Sequence, residues 1–216
     1  MVTAELSGQE ASATPVPAWL RELAAAARTL EISPHLVPPP SGGRASAVLI
    51  LFGDSPAGPD LLFIVRSTGL RLHAGQTAFP GGAVDPGDAG PVAAALREAT
   101  EEVGLDQAGV DVVGALPEAF IPPTGFRVVP ILAWWRQPCP VAPVDAGEVA
   151  AVARVSVAEL ADPGVRLMTR GPGGFVMPAF RIGEMLIWGF TAALVDRLLA
   201  LGGWERPWDA TRIVDL

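Results

Sequence analysis

Residues 17–30, PAWLRELAAAARTL, carry Trp19, Leu20, Leu23, Ala26, Ala27 and Leu30 at helical spacing behind a proline suited to a first turn. The spacing predicts a helix packed on a larger body. Residues 1–16 before it are small, polar and proline-containing, and read as loose. SPHLVPPPSGGRA after it reads as a linker, because Pro38, Pro39, Pro40 and the Gly42-Gly43 pair forbid regular structure. Two apolar runs follow, SAVLILFG and DLLFIVRS, parted by a Pro/Gly/Asp turn, which predicts a β-hairpin. Further strand-type runs are VDVVGALP, FRVVPILAWW and VAAVARVSV. FVMPAFRIGEMLIWG reads as a second hairpin about Gly183, and FTAALVDRLLALGG as a helix ending at a glycine pair. Strands and helices alternate without a regular βαβ rhythm, so the expected fold is α/β (α+β), a mixed central β-sheet flanked by helices. The expected organisation is an extension with one helix over residues 1–40 and a main domain over 41–216.

Composition narrows the chemistry. Half of the 216 residues are hydrophobic, enough for a substantial core, and the net charge is −8. All fifteen basic residues are arginine. A nucleic-acid partner is therefore not expected, and the lysine chemistry of P-loops and Schiff bases is excluded. An anionic substrate must be met by arginine, backbone N–H groups or a metal. The single cysteine, Cys139, lies between prolines without a neighbouring base and has no disulfide partner or zinc-type cluster. The N-terminus lacks the basic patch and apolar run of a signal peptide, and no run of about 18 apolar residues marks a membrane span. The expectation is a cytoplasmic protein with no membrane association.

One segment conflicts with ordinary helix design. Pro91 suits a first turn and Gly104 a C-terminal cap, so the spacing predicts a helix over 90–103, with Val92, Leu96, Ala99 and Val103 as its apolar stripe. Glu98, Glu101 and Glu102 then lie off the stripe at i, i+3 and i+4. Like charges at that spacing cost about 0.2–0.5 kcal/mol a pair, and the helix C-terminus penalises anions by roughly a further 0.3–1 kcal/mol. A solvated acidic face is the plain reading of E-x-x-E-E alone, but it leaves the glycines upstream unexplained. The other reading is a face that binds a divalent cation, since three carboxylates so spaced can converge on hard Mg²⁺ or Mn²⁺. Arg97 would orient one carboxylate by a bidentate pair. Gly81 and Gly82 would bring the backbone close to the same point.

GG-x5-D-x8-REATEEVGL resembles the Nudix box, the signature of enzymes that hydrolyse a nucleoside diphosphate linked to another group. The generic signature carries a glutamate eight positions before the arginine; here that position is Ala89 and the acid is Asp88. LLFIVRSTGLRLHAGQTAFPGGAVDPGDAGPVAAALREATEEVGL is similar to the extended motif of the coenzyme A pyrophosphatase branch, which has an aspartate at this place. IPPTGFRVVPIL and PAFRIGEMLIWGFTAALV also resemble segments of that branch, so the likeness covers about residues 45–200.

The resemblance implies an α/β/α sandwich and a Mg²⁺- or Mn²⁺-dependent hydrolase that splits coenzyme A or its derivatives to 3′,5′-ADP and 4′-phosphopantetheine. Another nucleoside diphosphate compound, or a binding module without catalysis, are the rival readings. Glu98, Glu101 and Glu102 would bind metal; which of them orients or deprotonates the attacking water is left open. Glu148 is either a further metal ligand, the base, or a solvated loop glutamate. Arg66, Arg71, His73 and Gln76 suit the phosphates of a coenzyme A-like substrate, and Thr124, Gly125 and Phe126 would approach it too, Phe126 more as core than as a stacking platform. Trp134, Trp135 and Trp188 read as core or interface aromatics, which leaves a homodimer open.

Overall fold

The computed structural model describes residues 14–31, 36–69, 75–171 and 174–216. Its centre is strand β1 (Arg44–Ser55), in which Ala47 and the run from Leu49 to Phe52 are buried. A strand apolar on successive positions has to be covered on both faces, and this one is. Ala47, Leu49 and Leu51 face α2 (Pro91–Val103), while Ile50 and Phe52 pack with α1 (Ala18–Ala27) and α4 (Gly189–Leu201). Helices on both sides of one mixed sheet give the sandwich expected above.

In that sheet β1 runs parallel to β7 (Phe126–Trp135), from Arg44 opposite Phe126 to Phe52 opposite Trp134. Its antiparallel neighbours are β2 (Gly58–Arg66), joined through a tight turn closing Ser55 on Gly58, and the short β4 (Gly81–Ala83). β3 (Thr77–Ala78) and β8 (Val149–Ser156) flank β2, and β5 (Val110–Ala115) and β6 (Ala119–Ile121) flank β7. A one-turn helix, α3 (Val157–Leu160), follows β8, capped by the Ser156 hydroxyl, which accepts the Glu159 N–H.

A second sheet joins β9 (Arg166–Arg170), β10 (Val176–Ile182), β11 (Met185–Ile187) and β12 (Ile213–Asp215), with Gly183 at φ 56° in the β10–β11 turn. Arg166 secures it to α4. Its side chain is 1 % exposed, pairs with Asp196 and Glu205, and lies 4.3 Å from the Trp208 ring centroid. Among the described residues no helix is long and apolar enough to cross a membrane.

α1 belongs to this core rather than lying loosely on it. Leu20 and Ala27 are fully buried, and Trp19 meets the rings of Phe52, Trp134 and Trp204 edge-on or nearly so at 5.4, 6.2 and 5.2 Å. Just upstream, Thr14 accepts the Trp134 indole N–H at 2.7 Å and donates its own N–H to the Arg136 carbonyl at 2.8 Å. Trp134 and Trp135 are thus core residues, on opposite faces of the sheet, and Trp188 is half-buried.

The buried face of α2 differs from the expected stripe. Val92 is 41 % exposed and Leu96 only half-buried, whereas Ala94, Ala95, Ala99 and Val103 are buried, and Glu102 with them. The helix lies so close to β1 and β4 that methyl groups fill most of the contact; Leu96 packs at the edge of this core and Val92 faces outward. Replacing Leu20 by alanine should lower the unfolding free energy by about 2–5 kcal/mol in urea denaturation, as for other fully buried leucines. An unchanged midpoint would mean that α1 lies outside the cooperative unit.

Candidate functional site

The site grows from the contact between α2 and β4. Gly82 pairs with Ala47 and Gly81 with Val48. A Cβ on Gly81 would stand 2.7 Å from the Val48 Cα, and one on Gly82 would overlap the Glu98 carboxylate. Gly81 therefore requires glycine for its close approach to the β1 backbone, while the bare Gly82 leaves the Glu98 carboxylate room to lie against the strand. The helix ends at Gly104, φ 71°, whose left-handed conformation turns the chain away after Val103.

Glu102 is 7 % exposed. Its Oε2 accepts the Gly81 N–H at 3.0 Å, and Arg66 Nη1, at the end of β2, lies 3.8 Å from its Oε1. Burial pushes its carboxyl up to about 7, helped by the nearby charges of Glu98 and Glu148, while the Gly81 N–H and Arg66 pull the other way. Glu98 is likewise raised, chiefly by burial, with Arg97 opposing. Glu148 enters through strand pairing: it precedes Val149, which lies opposite Arg66, and its carbonyl accepts the Ser67 N–H at 2.9 Å. Two glutamates far apart in sequence thus share one local field.

Arg97 gathers the other carboxylates. Its Nε and Nη2 donate to the two oxygens of Asp88 at 3.1 and 3.0 Å, and Nη2 also donates to the Ala83 carbonyl at 3.0 Å. Nη1 donates to Glu98 at 3.1 Å and to Glu101 at 2.9 Å. The expected bidentate pair exists, but its partner is Asp88 rather than a helix glutamate. Glu101, 58 % exposed, is the least enclosed of the three.

The structure thus brings Glu98, Glu101, Glu102, Arg97, Arg66, Glu148, Gly81 and Gly82 into one neighbourhood. One expectation is corrected: Glu102 lies on the buried face of α2, not away from it. The hard oxygen donors present suit a divalent cation, although among the described residues no three carboxylates meet at one point with side chains as they stand. Arg97 and Arg66 hold them apart.

Gln76 is half-buried beside this group, its carbonyl accepting the Arg66 N–H at 2.9 Å. Arg71 and His73 lie outside the described residues. Thr124, Gly125 and Phe126 stand at a distance: Phe126 is opposite Arg44, whereas Gly82 is opposite Ala47, three positions further along β1. Phe126 is half-buried under the Arg44 guanidinium, 5.6 Å from its ring centroid. Sequence reasoning assigned no function to Asp88. The five donors of Arg97 were the available signal, since an arginine beside a core-facing turn needs acceptors on more than one side.

Comparison with known proteins identifies the family and the fold. Residues 43–171 match the NUDIX domain family model. The uncharacterized Nudix hydrolase NudL of Cronobacter sakazakii is 40 % identical over 168 residues, covering 76 % of this chain and 85 % of that protein. NudL of Escherichia coli K12 is 38 % identical over 159 residues, covering 72 % and 81 %. The crystal structure of RenU, a Nudix hydrolase from M. smegmatis, shares the fold with a TM-score of 0.54 at 22 % identity, covering 78 % of this chain and 91 % of that one. The chain belongs to the Nudix hydrolase family, and its substrate class is a nucleoside diphosphate derivative.

The raised Glu102 carboxyl has a thermodynamic signature. An acid whose folded value lies near 7 against 4.5 unfolded binds its proton more tightly in the native state. Its stabilising contribution is full below about pH 4.5 and is lost as pH rises through about 7, a change of roughly 3 kcal/mol. In metal-free buffer Glu102→Gln should therefore unfold near the wild-type temperature at pH 5 and above it at pH 8. A variant no more stable than wild type at pH 8 would contradict the buried charge.

Proposed function

We propose that this Nudix hydrolase is a Mg²⁺- or Mn²⁺-dependent diphosphatase acting on coenzyme A or its derivatives, with 3′,5′-ADP and 4′-phosphopantetheine as products. The observation that carries the metal-dependent part is Glu102, a buried carboxylate of α2 close to Glu98, within the field of Glu148 and packed against the glycine strand β4. Such a site is costly as an apo arrangement and favourable around a cation.

Glu98, Glu101 and Glu102 would hold the ion. When bound, a divalent cation neutralises phosphate oxygens and acidifies a coordinated water. The chain's own groups then have distinct tasks. Arg66 opposes the protonation of Glu102 that burial favours, and it retains a donor: its Nε is buried without a hydrogen-bond partner among the described residues, which suits a phosphate oxygen at the same place. Glu148, exposed at the start of β8, is positioned to accept a proton from the attacking water without competing for the buried site. Gly81 and Gly82 admit the diphosphate against the backbone.

The coenzyme A assignment rests on the motif likeness over residues 61–105 and 121–132 and on the IWG-x-T-A segment. Arg71, His73 and Gln76 are assigned to the additional phosphate of such a substrate. Thr124, Gly125 and Phe126, about 10 Å along the sheet from Gly82 by strand rise, are assigned to its more distant part.

Incubation with coenzyme A and Mg²⁺ or Mn²⁺, beside ADP-ribose and NADH, followed by chromatography, tests the reading. Release of 3′,5′-ADP and phosphopantetheine is expected, with Glu98→Gln and Glu102→Gln each losing at least about 100-fold in kcat. Turnover of another diphosphate alone would remove the coenzyme A assignment, and no turnover of any would leave a binding module.

A further inference from the structure

Strand alternation separates Phe126 from its neighbour Arg127. Arg127 falls in step with Val129, Ile131 and Ala133, which pack in the core beneath α2, whereas Phe126 falls in step with Leu132 and Trp134 on the opposite face. Of the two, only Arg127 shares a face with the carboxylate helix. It lies opposite Ala45, two positions along β1 from Ala47, the partner of Gly82. The separation from Gly82 is therefore about 7 Å along the strands and about 10 Å across them, a span that a nucleoside bridges. Ala45 is exposed although its strand is central, so α2 leaves this end of the face open.

Glu118, just before β6, meets Arg127 there. Nε and Nη2 of Arg127 both donate to one carboxylate oxygen, Oε2, at 3.2 and 2.6 Å. The fork on a single oxygen fixes the guanidinium plane. It also leaves Glu118 Oε1 as an acceptor and Arg127 Nη1 as a donor with no hydrogen-bond partner among the described residues. The two side chains are 30 % and 32 % exposed, so a ligand can reach them. Gly43, at φ 88°, gives the arginine stem its place: a Cβ there would stand 2.7 Å from Arg127 Cγ.

The chemistry of the pair selects its ligand. A phosphate is a poor one, because Glu118 already neutralises the guanidinium and would repel a second anion. A planar group that offers an N–H donor next to an acceptor suits it, and adenine carries both, an exocyclic amino group beside a ring nitrogen. Hypoxanthine has a carbonyl where adenine has the amino group, and would set that oxygen against the carboxylate. We propose that Glu118 and Arg127 read the adenine base of the substrate, with Glu118 Oε1 accepting the amino group and the Arg127 guanidinium donating to the adjacent ring nitrogen. This rests on the coenzyme A reading above for the identity of the base, and it assigns the adenosine half of the substrate to the open face at Ala45.

Calorimetric titration of the full chain with ADP and with IDP, in Mg²⁺, tests the pair apart from turnover. The wild type is expected to bind ADP at least about tenfold more tightly than IDP. Glu118→Gln, whose amide can accept or donate, should gain affinity for IDP and bring the two within about threefold. A merely structural ion pair would lower both affinities together and leave their ratio unchanged. Equal wild-type affinities, an unchanged ratio in Glu118→Gln, or no binding of ADP would each overturn the proposal and leave the diphosphatase reading to its own test. Conversely, a wild type that shows the ADP preference, and loses it in Glu118→Gln, yet leaves coenzyme A intact, would remove the coenzyme A assignment and uphold the base site.

Discussion

The approach of α2 to β4 is the contact on which the site depends. Gly81 and Gly82 have no Cβ because the β1 backbone lies against one and the Glu98 carboxylate against the other. The helix meets the sheet through Ala94, Ala95 and Ala99 for the same reason. Once it is this close, a side chain at the last turn of the buried face has nowhere to go but inward, and that side chain is Glu102. The charge is buried as a consequence of packing, and its hydrogen bond from the Gly81 N–H comes from the strand that forced the closeness.

Three carboxylates in little more than one helical turn would repel one another if each faced the same way. They are partitioned instead. Glu98 and Glu101 lean toward Arg97, which the box loop holds through Asp88 and Ala83; Glu102 leans toward Arg66, which β2 delivers from the other side. Strand pairing between β2 and β8 sets Glu148 beside Arg66 in the same stroke. The sheet thus supplies both the cation that compensates Glu102 and a further anion that opposes it, an imbalance that the divalent ion proposed above would relieve.

Much of this was legible in the sequence because the strongest signals are long. β1 and β7 carry uninterrupted apolar runs, α2 has its proline and glycine at the right ends, and the E-x-x-E-E cluster is conspicuous against the helix dipole. Other features were not. β3, β4, β6 and β12 span two or three residues each and exist only because a neighbour supplies the pairing. The buried face of α2 was misjudged because periodicity favours the larger Val92 and Leu96, whereas the tight interface selects alanine. The partnership of Asp88 with Arg97, and of Glu148 with Glu102, is set by turn closure and strand register, to which local composition is blind.

The central claim is that the carboxylate face of α2 over the glycine strand is a divalent-cation site. The most direct measurement is the anomalous difference map of a crystal soaked in Mn²⁺. The account predicts a peak beside Gly82, contacted by the carboxylates of Glu98 and Glu102. A map with no peak there, or with Mn²⁺ held only by other acidic residues, would contradict it.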